Sequence, residues 1–185
     1  SFKKGLLVGQ RVKEFLESYI GKTQFENLKI PLSVVSTNII NGESFVSNSG
    51  DVASAIRASI SMPFVFNPII RGDKLLADGG LSMPVPVDIV KNMGADFIIA
   101  VNLDADYFSS NNYKTTKFGY YKVAQNSINL LRHHLAFCNV KNADVVLNPK
   151  VGISHWGKLL DGKDLILAGE ESARKIILQL NDNYF

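Results

Sequence analysis

Cysteine occurs once in these 185 residues, at Cys138. A single thiol excludes an internal disulfide framework and any multi-cysteine metal site. Blocks of one charge are missing as well. Twenty Lys and Arg stand against 17 Asp and Glu, leaving a net charge of +3 spread along the chain, too thin a surplus to imply nucleic acid. No apolar run reaches the length of a membrane span, and no G-x-G-x-x-G or P-loop marks a phosphate cradle. Repeats, low-complexity tracts and inter-domain linkers are also absent. Nothing at Ser1-Phe2-Lys3-Lys4-Gly5 has the pattern of a secretory signal. Ser1 is not a natural start, so a processed or partial chain is expected.

What is present is an ordinary globular composition, 46% hydrophobic and 20% charged, which argues against disorder. Val12, Phe15, Leu16, Tyr19 and Ile20 share a helical face that Gly21 ends. A strand is expected over Leu32–Thr37, turning at Asn41-Gly42 into a return strand from Glu43 to Ser47. Asp51 caps a helix running to about Ser61, which Met62-Pro63 stops. Asn67 to Asp78 reads as a second hairpin with its turn at Arg71-Gly72-Asp73. That placement also accounts for the adhesion-like tripeptide without any adhesive role. Pro86 opens a short helix that Gly94 closes. Phe97–Leu103 is a continuous apolar strand of the kind covered on both faces. Helices over 117–139 and along the stripe Leu165, Ala168, Gly169, Ser172, Ala173, Ile176, Ile177 and Leu180 flank a short strand at 144–148. Strands alternating with helices give an α/β fold, a layered sheet with helices on both faces.

Chemistry concentrates in Leu75-Leu76-Ala77-Asp78-Gly79-Gly80-Leu81. An acid at the end of a buried strand is held beside two glycines, which let another backbone segment approach closely. A carboxylate is a weak base in water, with a pKa of about 4. It serves as a general base where desolvation and proximity favour the proton transfer. The triplet alone reads more readily as a turn whose Asp anchors the local backbone or caps the helix near Pro84, since Asp-Gly turns are common.

Five blocks in order carry a resemblance. They are Ile30–Asn38 with its hairpin, Ala55-Ile56-Arg57-Ala58-Ser59-Ile60-Ser61-Met62-Pro63, Asp78-Gly79-Gly80 with Pro84–Val87, Met93–Val101, and Asn142–Pro149. Together they resemble the patatin-like acyl hydrolases, most closely the bacterial branch similar to neuropathy target esterase. The resemblance implies a Ser–Asp dyad in which Asp78 is the catalytic base, with Gly79 and Gly80 supporting the motif. It implies a lipid ester substrate, peripheral membrane contact, no cofactor, no metal and no nucleic acid. A bacterial protein is expected, in the cytoplasm or at a membrane surface. The family's Gly-x-Ser-x-Gly elbow and its glycine-rich oxyanion loop are absent from this sequence. Residues 1–185 are therefore expected to be the C-terminal portion of one patatin-like domain, lacking the elbow, inactive alone, and able to associate through an exposed sheet edge with itself or with the missing segment. The alternative is a non-catalytic α/β binding module, nucleotide-binding near Asp104.

Weaker candidates have plainer readings. Gly152-Ile153-Ser154-His155-Trp156-Gly157 misses the elbow pattern at Trp156. Ser59 and Ser61 lack flanking glycines and are expected to pack or cap. His133 and His134 are neighbours on a helix and face apart, which makes them poor joint ligands. Asp104-x-Asp106 is expected in a solvated loop. Phe64, Phe66, Phe118, Tyr120 and Tyr121 are expected in the core rather than at a lipid surface.

Overall fold

The computed structural model describes residues 10–106, 119–151 and 162–184, without the side chains of 10 and 178–184. The chain divides into two compact units, Ser1–Met83 and Pro84–Phe185.

In the first unit, α1 (Gln10–Ile20) ends at Gly21, whose φ of +66° is open to glycine without strain. A short 3-10 turn, Phe25–Asn27, leads to β1 (Val34–Asn38) and β2 (Ser44–Ser47). The turn at their tip is longer than Asn41-Gly42 alone. It spans Ile39 to Gly42, Gly42 supplies the positive φ, and the Asn38 N–H closes it on the Glu43 carbonyl at 2.9 Å. Next, α2 (Val52–Ser59) starts at Asp51, whose carboxylate accepts from the Ser54 N–H at 2.7 Å, as the capping pattern requires. It stops two residues short of Ser61, with Ile60 as its C-cap. β3 (Ile69–Arg71) and β4 (Lys74–Asp78) form the second hairpin, turning at Gly72 with φ +62°.

These strands make one antiparallel sheet in the order β2-β1-β4-β3. The two edge strands meet through Arg71, whose guanidinium lies 5.2 Å from the Phe45 ring and 3.4 Å from Ser47 Oγ. The twist of a short sheet brings its diagonal corners together in this way. Phe25, Val52 and Ala55 form the apolar cluster under α2.

The second unit contains α3 (Val87–Asn92), β5 (Ile99–Val101), α4 (Tyr120–Asn139), β6 (Val145–Leu147) and α5 (Lys163–Tyr184). β5 and β6 pair in parallel, Ile99 opposite Val145. The core is Val85, Val87, Ile98, Ala100 and Ala136. The strand within Phe97–Leu103 is shorter than its apolar run, and it is not covered on both faces: Ile98 and Ala100 are buried, whereas Ile99 and Val101 are 58% and 48% exposed. Such a run does not distinguish one covered face from two. The α5 stripe from Leu165 to Ile176 is half-buried, and Ile177 is exposed. Mixed α/β architecture is confirmed, as two separate sheets among the described residues.

Candidate active site

Asp78 is the last residue of β4, directly opposite Ser36 of β1. Residues facing each other across an antiparallel pair present their side chains on the same side, so Ser36 and Asp78 share a face. Asp78 is half-buried, and Ser36 is fully buried with no hydrogen-bond partner for its hydroxyl.

Every polar group of the Asp78 backbone has a partner. Its N–H donates to the Ser61 carbonyl at 3.0 Å. Its carbonyl accepts from Thr37 Oγ1 at 2.8 Å. Its carboxylate accepts from the Gly80 N–H at 2.7 Å, which caps the 3-10 turn Gly79–Leu81. Asp78 thus anchors a turn, and the same bond presents a carboxylate oriented by main chain.

The two glycines differ in what the structure asks of them. Gly80 supplies the N–H. Gly79 is buried against β1, where an added Cβ would stand 2.1 Å from the Val35 carbonyl oxygen and 2.9 Å from its carbon. Only glycine fits, because both atoms in the way belong to a paired strand.

Ser61 is fully buried, and its role is structural, as expected. Its hydroxyl donates to the Arg57 carbonyl at 2.9 Å and accepts from Arg57 Nη1 at 2.6 Å. Arg57 is itself buried, donates to the Asn67 carbonyl at 3.2 Å and lies 5.2 Å from the Phe66 ring. Burial pulls its pKa below the ordinary guanidinium value. Arg57 thereby ties together the segment that accepts from Asp78. Between these anchors Phe64 holds a φ of +68° and is half exposed.

A cleft of about 290 Å³ opens on this unit, lined by Ala55, Ala58, Ile69 and Leu76 together with Ser49, Ser54 and Arg71. Leu76 lies two residues before Asp78, on the same face of β4.

The other candidates separate from this site. Asp104 is not in a solvated loop: it is buried, its Oδ2 lies 3.3 Å from Arg132 Nη2, and its carbonyl accepts from His133 Nδ1 at 2.6 Å. A lone Asp-x-Asp offered no sign of a partner 28 residues away. No metal-binding cluster occurs among the described residues. Phe66 is in the core, but Phe64, Tyr120 and Tyr121 are exposed. Phe118 and the Gly152–Gly157 stretch lie outside the described residues. Cys138 is free and exposed.

Thr37, Ser82, Ser44 and Arg57 were not legible as residues that hold this turn. A signal was available in Ser36-Thr37-Asn38, three consecutive polar residues at the end of the strand expected over Leu32–Thr37. Buried polar groups come with partners.

Residues 1–91 match the family of patatin-like phospholipases. Among curated proteins, the uncharacterized NTE family protein Rv1063c of Mycobacterium tuberculosis is 35% identical over 100 residues, covering 54% of this chain and 28% of that protein. Rv2565 of the same organism is 31% identical over 105 residues, covering 57% of this chain and 18% of its own. The lysophospholipase NTE1 of Debaryomyces hansenii is 32% identical over 116 residues, or 62% of this chain and 8% of that protein. The chain therefore spans less than a third of the length of these relatives.

Proposed function

We propose that this chain, patatin-like over residues 1–91, is the aspartate-bearing C-terminal portion of a single lipid acyl hydrolase domain. In this reading Asp78 acts directly on a nucleophilic serine supplied from sequence outside these residues. The observation that carries it is the presentation of Asp78: a half-buried carboxylate at a strand end, oriented by the Gly80 N–H, on a backbone held by Ser61 and Thr37.

The chemistry follows from that placement. Asp78 takes the serine proton as the serine oxygen attacks the ester carbonyl. The tetrahedral intermediate collapses to an acyl-enzyme, and the protonated Asp78 returns its proton to the departing alkoxide. Water, deprotonated by the same carboxylate, then adds to the acyl carbonyl, the bond to the serine oxygen breaks, and Asp78 returns the proton to that oxygen as the fatty acid leaves. The cleft beyond Leu76 accepts the acyl chain, and the substrate is drawn from a lipid surface. No helix among the described residues is long and apolar enough to cross a membrane.

The test is Asp78→Asn in the full-length gene product, assayed on phospholipid and lysophospholipid esters, with fluorophosphonate labelling in parallel. Turnover and labelling should both be abolished while the fold survives. The 185-residue chain alone should not label. Normal ester hydrolysis by the variant, or stoichiometric labelling of a serine within this chain, would overturn the assignment.

A further inference from the structure

Thr37 is buried, and its hydroxyl stands 2.8 Å from the Asp78 carbonyl and 2.8 Å from Ser82 Oγ. Ser82 Oγ is in turn 2.8 Å from Ser44 Oγ. Ser44 is the cross-strand partner of Thr37 on β2. A hydroxyl has one proton, and a carbonyl oxygen can only accept. The Thr37 proton is therefore committed to the Asp78 carbonyl. Ser82 must then donate to Thr37, and Ser44 must donate to Ser82. The three hydroxyls are ordered head to tail, and each bond polarises the next.

We infer that this chain of hydroxyls is a clamp that sets the orientation of the Asp78–Gly79 peptide, making Thr37 a positioning residue for the Asp78 carboxylate, with Ser82 and Ser44 behind it. The need for such a clamp is local. Asp78 ends β4 and the 3-10 turn Gly79–Leu81 takes the main chain out of the sheet, with Gly79 pressed against the Val35 carbonyl, so this peptide's oxygen lies where the strand pairing ends. Thr37 Oγ1 also lies 3.5 Å from the Gly79 carbonyl, a distance at which Asp78 is clearly the preferred acceptor. Rotating the peptide would swing the carboxylate and its bond to Gly80 together.

The inference rests on the reading of Asp78 as general base, and its test separates the two. The measurements are the backbone carbonyl carbon shift of Asp78 by NMR and the kcat and KM of the full-length protein for a lysophospholipid ester. Thr37→Val removes the hydroxyl and keeps the shape. It should move the Asp78 carbonyl signal upfield and lower kcat on the order of tenfold to a hundredfold, with KM unchanged, as misplacement of a catalytic group does. Thr37→Ser should restore both. If Thr37→Val does not fold, Ser82→Ala keeps the bond to Asp78 and removes the donor behind it, and both changes should appear at smaller size. An unmoved carbonyl signal in a folded variant refutes the clamp. A moved signal with unchanged kcat, a fall confined to KM, or a Thr37→Ser protein as impaired as Thr37→Val refutes the positioning role. Full activity of Asp78→Asn would instead refute the general-base reading, leaving the carbonyl signal to decide the clamp.

Discussion

The two units bury different chemistry. In Pro84–Phe185 the core is a compact aliphatic cluster of Val85, Val87, Ile98, Ala100 and Ala136. In Ser1–Met83 the interior also holds polar side chains: Ser36, Thr37, Asn38, Ser47, Arg57 and Ser61. Burying a polar group without a partner costs about 1–3 kcal/mol, and apart from Ser36 each of these side chains has one. In the first unit the bonds of Thr37 and Ser61 reach the Asp78 backbone from both sides, and Arg57 holds Ser61. Asn38 is similarly engaged, its Oδ1 accepting from the Leu75 and Ile40 N–H groups. The second unit has two buried polar residues among those described, Asn102 and Asp104, and they fix the exit from β5, the Asp104 N–H donating to Asn102 Oδ1 at 3.0 Å. Both units pack apolar side chains, and the first also devotes part of its interior to polar groups that fix its turns, the one at Asp78 among them.

The sharpest way to break this contrast is Gly79→Ala. The new Cβ cannot coexist with the Val35 carbonyl at 2.1 Å, and moving β1 would uncouple Thr37 and Ser36 from Asp78. Overpacking of a rigid site costs about 1–3 kcal/mol, occasionally more, and the upper end is expected here. Amide exchange should accelerate along β1 and β4. A urea midpoint equal to that of the parent would show that the close approach does not exist.

Ile98→Ala tests the second unit on its own terms. Ile98 is 5% exposed and belongs to the aliphatic cluster. Truncation should cost about 2–5 kcal/mol through lost burial and the cavity left behind. A change below 1 kcal/mol, roughly the scale of a surface substitution, would mean that this cluster is not a packed core.

The smallest expected effect is at Asp51. Asp51→Ala should destabilise α2 by about 1 kcal/mol. The hydrogen bond from Ser54, with Lys13 at 3.2 Å adding to it, holds the Asp51 carboxyl below its ordinary value. A depressed carboxylate pKa stabilises the fold above the unfolded value, about 3.9. That contribution is lost as pH falls through the lower folded value. The difference between parent and variant should therefore be constant near neutrality and shrink below about pH 4. A difference that grows on acidification would contradict the assignment.

Local features were open to inspection in the residues themselves. Gly21, Gly42, Gly72 and Gly94 all take positive φ where turns or helix ends were expected, and Asp51 caps its helix. Each depends on conformational preferences and contacts within a few residues. The α/β class was equally legible from hydrophobic periodicity, and Asp-Gly-Gly announced the turn that Asp78 anchors. Coverage of the faces of β5 was not, because an apolar run carries no record of what packs on it.

By itself, then, the sequence determined where the chain turns, caps and alternates, since glycine, proline and capping residues act through the backbone nearest to them. Only the tertiary structure decided that Gly79 meets Val35, that Ser36 faces Asp78, and that Thr37 reaches a carbonyl 41 residues away. Those relations follow from the register between β1 and β4. A shift of one residue in that register would move every side chain to the other face, so this arrangement around Asp78 exists only once the strands have paired.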